Sequence, residues 1–133
     1  MASIYKDIPL DASADEVWAA VRDFGAVHRR VAPGFVTDCR LDGDSRVVTF
    51  ANGNVARELK VTIDEQRRRL VYAVVSERVK QHSASIQVFA DGDRRSRMAW
   101  IADVLPDEIG PYIDGQLELG ALAMQKQFRR DAA

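Results

Sequence analysis

The chain has 133 residues, 47% hydrophobic and 29% charged, and its formal net charge is -1. That length suits one domain, residues 1–133, burying roughly 70% of its unfolded surface. So balanced a charge excludes the basic footprint of a nucleic-acid binder. Cys39 is the only cysteine, which rules out an internal disulfide and fits a reducing compartment. As a lone free thiol it is expected to act as a small half-buried hydrophobe. No apolar run approaches the ~20 residues of a membrane span, and no signal-peptide pattern opens the chain, so a cytoplasmic location is expected.

Alternation predicts a first strand near Ile4–Leu10. Ser13 and Glu16 then form a Ser-x-x-Glu capping box. Val17, Trp18, Val21 and Phe24 follow as an apolar stripe of helical period, predicting a helix over Ala14–Phe24. Gly25 interrupts it, Ala26–Arg30 supplies about one more turn, and Pro33-Gly34 ends the segment. Asp23-Phe24-Gly25 spells a kinase motif, but no other kinase motif accompanies it, and a helix terminus is the simpler reading.

Strands are expected through most of Phe35–Leu105. Asp42-Gly43-Asp44, Asn52-Gly53-Asn54 and Asp91-Gly92-Asp93 supply hairpin-turn residues, and Glu65–Arg68 makes a fourth, charged connection. The run Arg67-Arg68-Arg69 reads as a solvated hairpin end. Neither Asp-Gly-Asp triplet opens a 12-residue loop closed by Glu, so calcium is not indicated.

Period-two alternation assigns faces. Leu70, Tyr72 and Val74 share one; Ala84, Ile86 and Val88 share another, with His82 in register; Met98, Trp100, Ala102 and Val104 share a third. In the preceding strand Leu59, Val61 and Ile63 oppose Glu58, Lys60 and Thr62. This predicts an antiparallel sheet covered on one side.

The last helix is expected over roughly Gly110–Arg130, with Pro111 in its first turn. Ile113, Leu117, Ala121, Met124 and Phe128 recur at helical spacing and should lie on the sheet. Gly115 and Gly120 each cost about 1 kcal/mol against Ala inside a helix. They serve either close packing or the hollowing of a cavity.

In this order EVWAAVRDFG at Glu16–Gly25, Pro33 followed by Cys39, ARE at Ala56–Glu58, LVYAV at Leu70–Val74 and MAWIADVLPD at Met98–Asp107 resemble the START-like, birch-pollen-allergen-like SRPBCC superfamily. The nearest branch is that of polyketide cyclase/dehydrase and lipid-transport proteins. Val31 stands where such sequences often carry Trp, and His82 where an aromatic often begins the sixth strand. The resemblance implies an α+β helix-grip fold: a seven-stranded curved antiparallel sheet round a long C-terminal helix, with two short helices after the first strand. It also implies an apolar cavity for lipids, quinones, polyketides or similar molecules. By analogy with hormone receptors of this fold, Glu58 and His82 would line the pocket, and Ala51–Val55 and Ser76–Gln81 would be its gating loops.

The candidate ligand-binding residues are Tyr72, His82, Ala84, Ile86, Met98, Trp100, Ile113, Leu117, Ala121 and Met124. Glu58 and His82 are the candidate catalytic pair. Alternation conflicts with the analogy at one point: if Leu59, Val61 and Ile63 face inward, Glu58 faces solvent and Arg57 points in, unless a bulge shifts the register. His28 reads as a surface residue. Two histidines and one cysteine without ligand spacing point to no metal, and no nucleophile elbow, phosphate loop or dinucleotide fingerprint is present, so no cofactor is expected. The leading expectation is a binder or carrier of a small hydrophobic molecule. The alternatives are a polyketide cyclase- or dehydratase-like enzyme and a protein-interaction module with an exposed apolar patch.

Overall fold

A computed structural model describes residues 2–129. Strand β1 (Ala2–Leu10) leads into α1 (Ala14–Val21), a 3-10 turn at Phe24–Ala26 and one π-helical turn at Val27–Val31. Six strands follow: β2 (Val36–Asp42), β3 (Ser45–Phe50), β4 (Val55–Asp64), β5 (Arg69–Val75), β6 (Gln81–Ala90) and β7 (Ser96–Leu105). A second 3-10 turn at Asp107–Ile109 opens α2 (Gly110–Gln127). The expected Arg130 end of α2 lies outside the described residues.

The strands form one curved antiparallel sheet in the order β1-β7-β6-β5-β4-β3-β2, with α2 on its inner face. This is the helix-grip fold. Ile113, Leu117, Ala121 and Met124 of α2 are buried in the same cluster as Leu70, Met98, Trp100 and Val104 from the sheet. Each large side chain so buried contributes about 1.5–3 kcal/mol. At the sheet edge Lys6 Nζ ties β1 to α2 through Asp114 at 2.5 Å and Glu118 at 2.7 Å.

The opening helices differ from expectation. Ser13 caps α1 by accepting from the Glu16 amide at 3.1 Å, but the helix stops at Val21 rather than Phe24. The next turns tighten and then widen round Gly25, whose Cα lies so close to Leu41 that a Cβ would sit 2.9 Å from its Cγ. The charged β4–β5 connection is also not merely solvated. Glu65 accepts from Trp18 Nε1 at 2.7 Å and is clamped by the Arg22 guanidinium, while Arg68 pairs with Asp15. The connection therefore docks on α1.

A Cβ on Gly120 would lie 2.8 Å from the Trp100 ring and 3.1 Å from Phe35, whereas one on Gly115 would meet nothing within 4 Å. Gly120 thus lets α2 approach the sheet, and Gly115 faces outward. Overpacking should make Gly120→Ala less stable by about 1–3 kcal/mol. Gly115→Ala should gain up to about 1 kcal/mol from helix propensity. Urea denaturation of the two variants checks this, and equal stabilisation by both would contradict the packing described.

Candidate ligand cavity

Between the inner face of the sheet and the first half of α2 lies a cavity of about 450 Å³. β5 and β7 contribute Tyr72, Val74 and Trp100; β4 contributes Ala56 and Glu58; β6 contributes His82; α2 contributes Tyr112, Ile113, Gln116 and Leu117. The mouth is bordered by Asn54 from the β3–β4 turn, by Val55 at the start of β4 and by residues 76–79 from the β5–β6 turn. Asn52 and Asn54 each donate through Nδ2 to Tyr112 Oη, at 3.0 and 2.8 Å, and so hold the first turn against the helix.

Five of the ten residues expected to bind ligand border this space: Tyr72, His82, Trp100, Ile113 and Leu117. Ile86 and Met124 line instead a void of about 40 Å³ deeper in the core. Ala84, Met98 and Ala121 border neither space and are buried in the core. The reason is that α2 converges on the sheet along its length. At Gly120 the helix touches Trp100, and no ligand-sized gap remains past that point. Neither Gly115 nor Gly120 lines the cavity.

Glu58 lies inside, against the alternation reading. Its exposure is 6%, while Leu59 and Val61 are 39% and 61% exposed. A bulge between Lys60 and Thr62 resolves the conflict: Val61 is the extra residue, so the strand turns over there and only Ile63 rejoins the inner face. Leu59 and Val61 are therefore outer-face residues.

The carboxylate is not free. Arg46, directly opposite across the β3–β4 pair, donates through Nε to Glu58 Oε1 at 2.8 Å. Its Nη1 donates to the Phe24 carbonyl at 3.1 Å, and the guanidinium lies 4.2 Å from the Phe24 ring centre and 5.3 Å from that of Tyr72. Both ends of the pair are buried. Arg46 escaped the reading of the residues because Val47 and Val48 are adjacent and mask alternation. The signal that could have found it is the turn: a hairpin centred on Asn52 puts residue 46 opposite residue 58.

Trp100 Nε1 donates to Tyr72 Oη at 3.0 Å. Burial, and secondarily the Glu58 charge, hold the Tyr72 phenol far above its ordinary range, so it stays protonated. Burial lowers the His82 pKa, so the imidazole is neutral near pH 7. Cys39 is half-buried, with burial raising its thiol pKa. His28 is half-buried too, and its Nδ1 has no hydrogen-bond partner among the described residues, unlike the surface residue expected. Among the described residues no group of three or more His, Cys, Asp or Glu could hold a metal, and no helix is long and apolar enough to cross a membrane.

A family model described as polyketide cyclase / dehydrase and lipid transport matches residues 1–133. The chain belongs to this family. Among solved structures, this polyketide cyclase/dehydrase family member is similar to an uncharacterised protein from Bacillus thuringiensis, with 18% identity over 96% of this chain and 98% of that one and a TM-score of 0.85. It is similar to a START superfamily protein from Mycobacterium smegmatis, with 13% identity over 95% and 96% and a TM-score of 0.80. It also resembles the di-domain ARO/CYC BexL of the BE-7585A biosynthetic pathway, with 17% identity over 96% of this chain and 46% of that one and a TM-score of 0.80. No curated protein matches the sequence of this family member.

Removing one member of a buried ion pair strands the other, so Arg46→Ala or Glu58→Gln should each lose about 3–5 kcal/mol. Replacing both together, Arg46→Met with Glu58→Leu, should recover most of that loss. Urea unfolding of the four proteins tests this, and additive losses in the double variant would contradict it. A second outcome concerns pH. Since folding lowers the His82 pKa below 6.5, the unfolded chain binds the proton more readily as pH falls through that value. Stability should be complete above it and decline below it, and His82→Asn should flatten this decline. A variant with the wild-type slope between pH 7.5 and 5, limits set at about one unit or more either side of the ordinary histidine value, would contradict it.

Proposed function

We propose that the chain binds or carries a small hydrophobic molecule, lipid-, quinone- or polyketide-like, in the cavity between the sheet and α2. The observation that carries this reading is the cavity itself: about 450 Å³, walled by Val74, Val79, Ile109, Ile113, Leu117 and aromatic side chains, with Asn54, Ser76, Glu77 and Arg78 at its mouth and Glu58, His82 and Gln116 as polar groups within. A mainly apolar hollow of several hundred Å³ with a few polar anchors is the usual form of a small-molecule site. Membership of a family described by cyclisation, dehydration and lipid transport supports the same class of ligand.

An enzymatic reading rests on His82. A neutral imidazole lining the cavity could accept a proton from a bound substrate. The likeness to BexL, described as ARO/CYC, agrees with that alternative as an analogy of fold. Glu58 supports it less, because Arg46 already holds one of its carboxylate oxygens. The carrier reading is therefore the stronger.

Native mass spectrometry of protein purified from its host tests the proposal. A co-purifying apolar mass, lost on denaturation, is expected. Ala56→Phe, which adds a ring to the cavity wall, should lose that mass while keeping the wild-type fold by circular dichroism. A host-purified protein that carries nothing and takes up no apolar dye would contradict the reading.

A further inference from the structure

Resting on the carrier reading, we propose that Tyr72 is a specificity-determining hydrogen-bond donor that selects ligands presenting a neutral carbonyl oxygen to the closed end of the cavity. Trp100 sets the direction of the contact with Tyr72. An indole N–H can only donate, so the 3.0 Å contact makes Tyr72 Oη the acceptor. The phenolic hydrogen must then point elsewhere, and it has no acceptor within hydrogen-bond distance among the described residues. Tyr72 is only 4% exposed and borders the cavity, so its donor can be completed only by what fills that cavity. Buried donors are generally paired, and a ligand that displaces water from the cavity must supply the acceptor in its place.

The charges round Tyr72 decide what kind of acceptor fits. Arg46 is the cation beside the ring, but it is engaged by Glu58 Oε1, by the Phe24 carbonyl and by two aromatic faces. Glu58, on the cavity wall, repels a second carboxylate. His82 carries no charge near neutral pH to attract one. The other cation bordering the cavity, Arg78, belongs to the β5–β6 turn at its mouth, so Tyr72 is a donor without a free positive charge beside it. This arrangement favours a ketone, aldehyde or quinone oxygen and disfavours a carboxylate or phosphate, whose desolvation would go uncompensated.

Fluorenone and fluorene share a flat tricyclic shape and differ at one carbonyl. Competition with an apolar fluorescent dye gives the dissociation constant of each for the wild-type protein and for Tyr72→Phe. The ratio of the fluorene constant to the fluorenone constant should fall about tenfold in the variant, the worth of one neutral hydrogen bond. A ratio that Tyr72→Phe leaves unaltered would overturn the proposal while leaving the carrier reading intact. Infrared spectra of fluorenone bound to the wild-type protein need no variant. The carbonyl stretch should lie below its position in hydrocarbon solvent, and a band at the hydrocarbon position would also overturn the proposal. If the wild-type protein takes up the dye but neither probe displaces it, this inference falls and the carrier reading stands; if it takes up no apolar dye at all, both fall together.

Discussion

Arg46 and Glu58 face one another across two neighbouring strands, and this buried charge pair constrains much of what surrounds it. Two charges out of water need each other and further partners, or their desolvation outweighs their attraction. The guanidinium finds those partners in the Phe24 carbonyl and in the faces of Phe24 and Tyr72. Phe24 can reach it because α1 ends early and the chain tightens into a 3-10 turn there. Tyr72 reaches it from the next strand beyond Glu58 and is held in place by Trp100. Trp100 in turn packs against the bare Cα of Gly120. A line of contacts thus runs from the opening helices, through the charge pair and two aromatic rings, to the last helix.

That line also divides the interior. On one side the helix closes onto the sheet and leaves a void of about 40 Å³; on the other it stands off and leaves one of about 450 Å³. The wall between them holds Glu58, Tyr72 and Trp100, which border both spaces. A ligand entering past the β3–β4 and β5–β6 turns would pass Asn54, Ser76, Glu77 and Arg78 at the mouth before the apolar and aromatic walls. The ion pair in the dividing wall supplies rigidity rather than a free acid or base.

Much of this arrangement was legible in the residues, for physical reasons that differ from element to element. The face of α2 was readable because Ile113, Leu117, Ala121 and Met124 obey one helical period along a helix covered on one side. β5, β6 and β7 were readable because strict alternation sorts their faces. β4 was not, since its outer face also carries Leu59 and Val61, and one inserted residue exchanges the faces. Tyr72 and Trp100 were recognised as cavity residues, but how deep the cavity runs was not. Ala84 and Met98 share their faces yet border no part of it. That depth depends on where the helix meets the sheet. Gly115 and Gly120 are alike in sequence and unlike in surroundings, so it could not be read from either.

The most direct test of the cavity as a binding site is methyl-detected NMR during titration with an apolar polycyclic probe. Shifts should concentrate at Val74, Val79, Ile113 and Leu117, which border the cavity. Leu119 and Leu122, exposed on the opposite side of the same helix, should stay still. Shifts confined to Leu119 and Leu122, with the cavity methyls unmoved, would contradict the account.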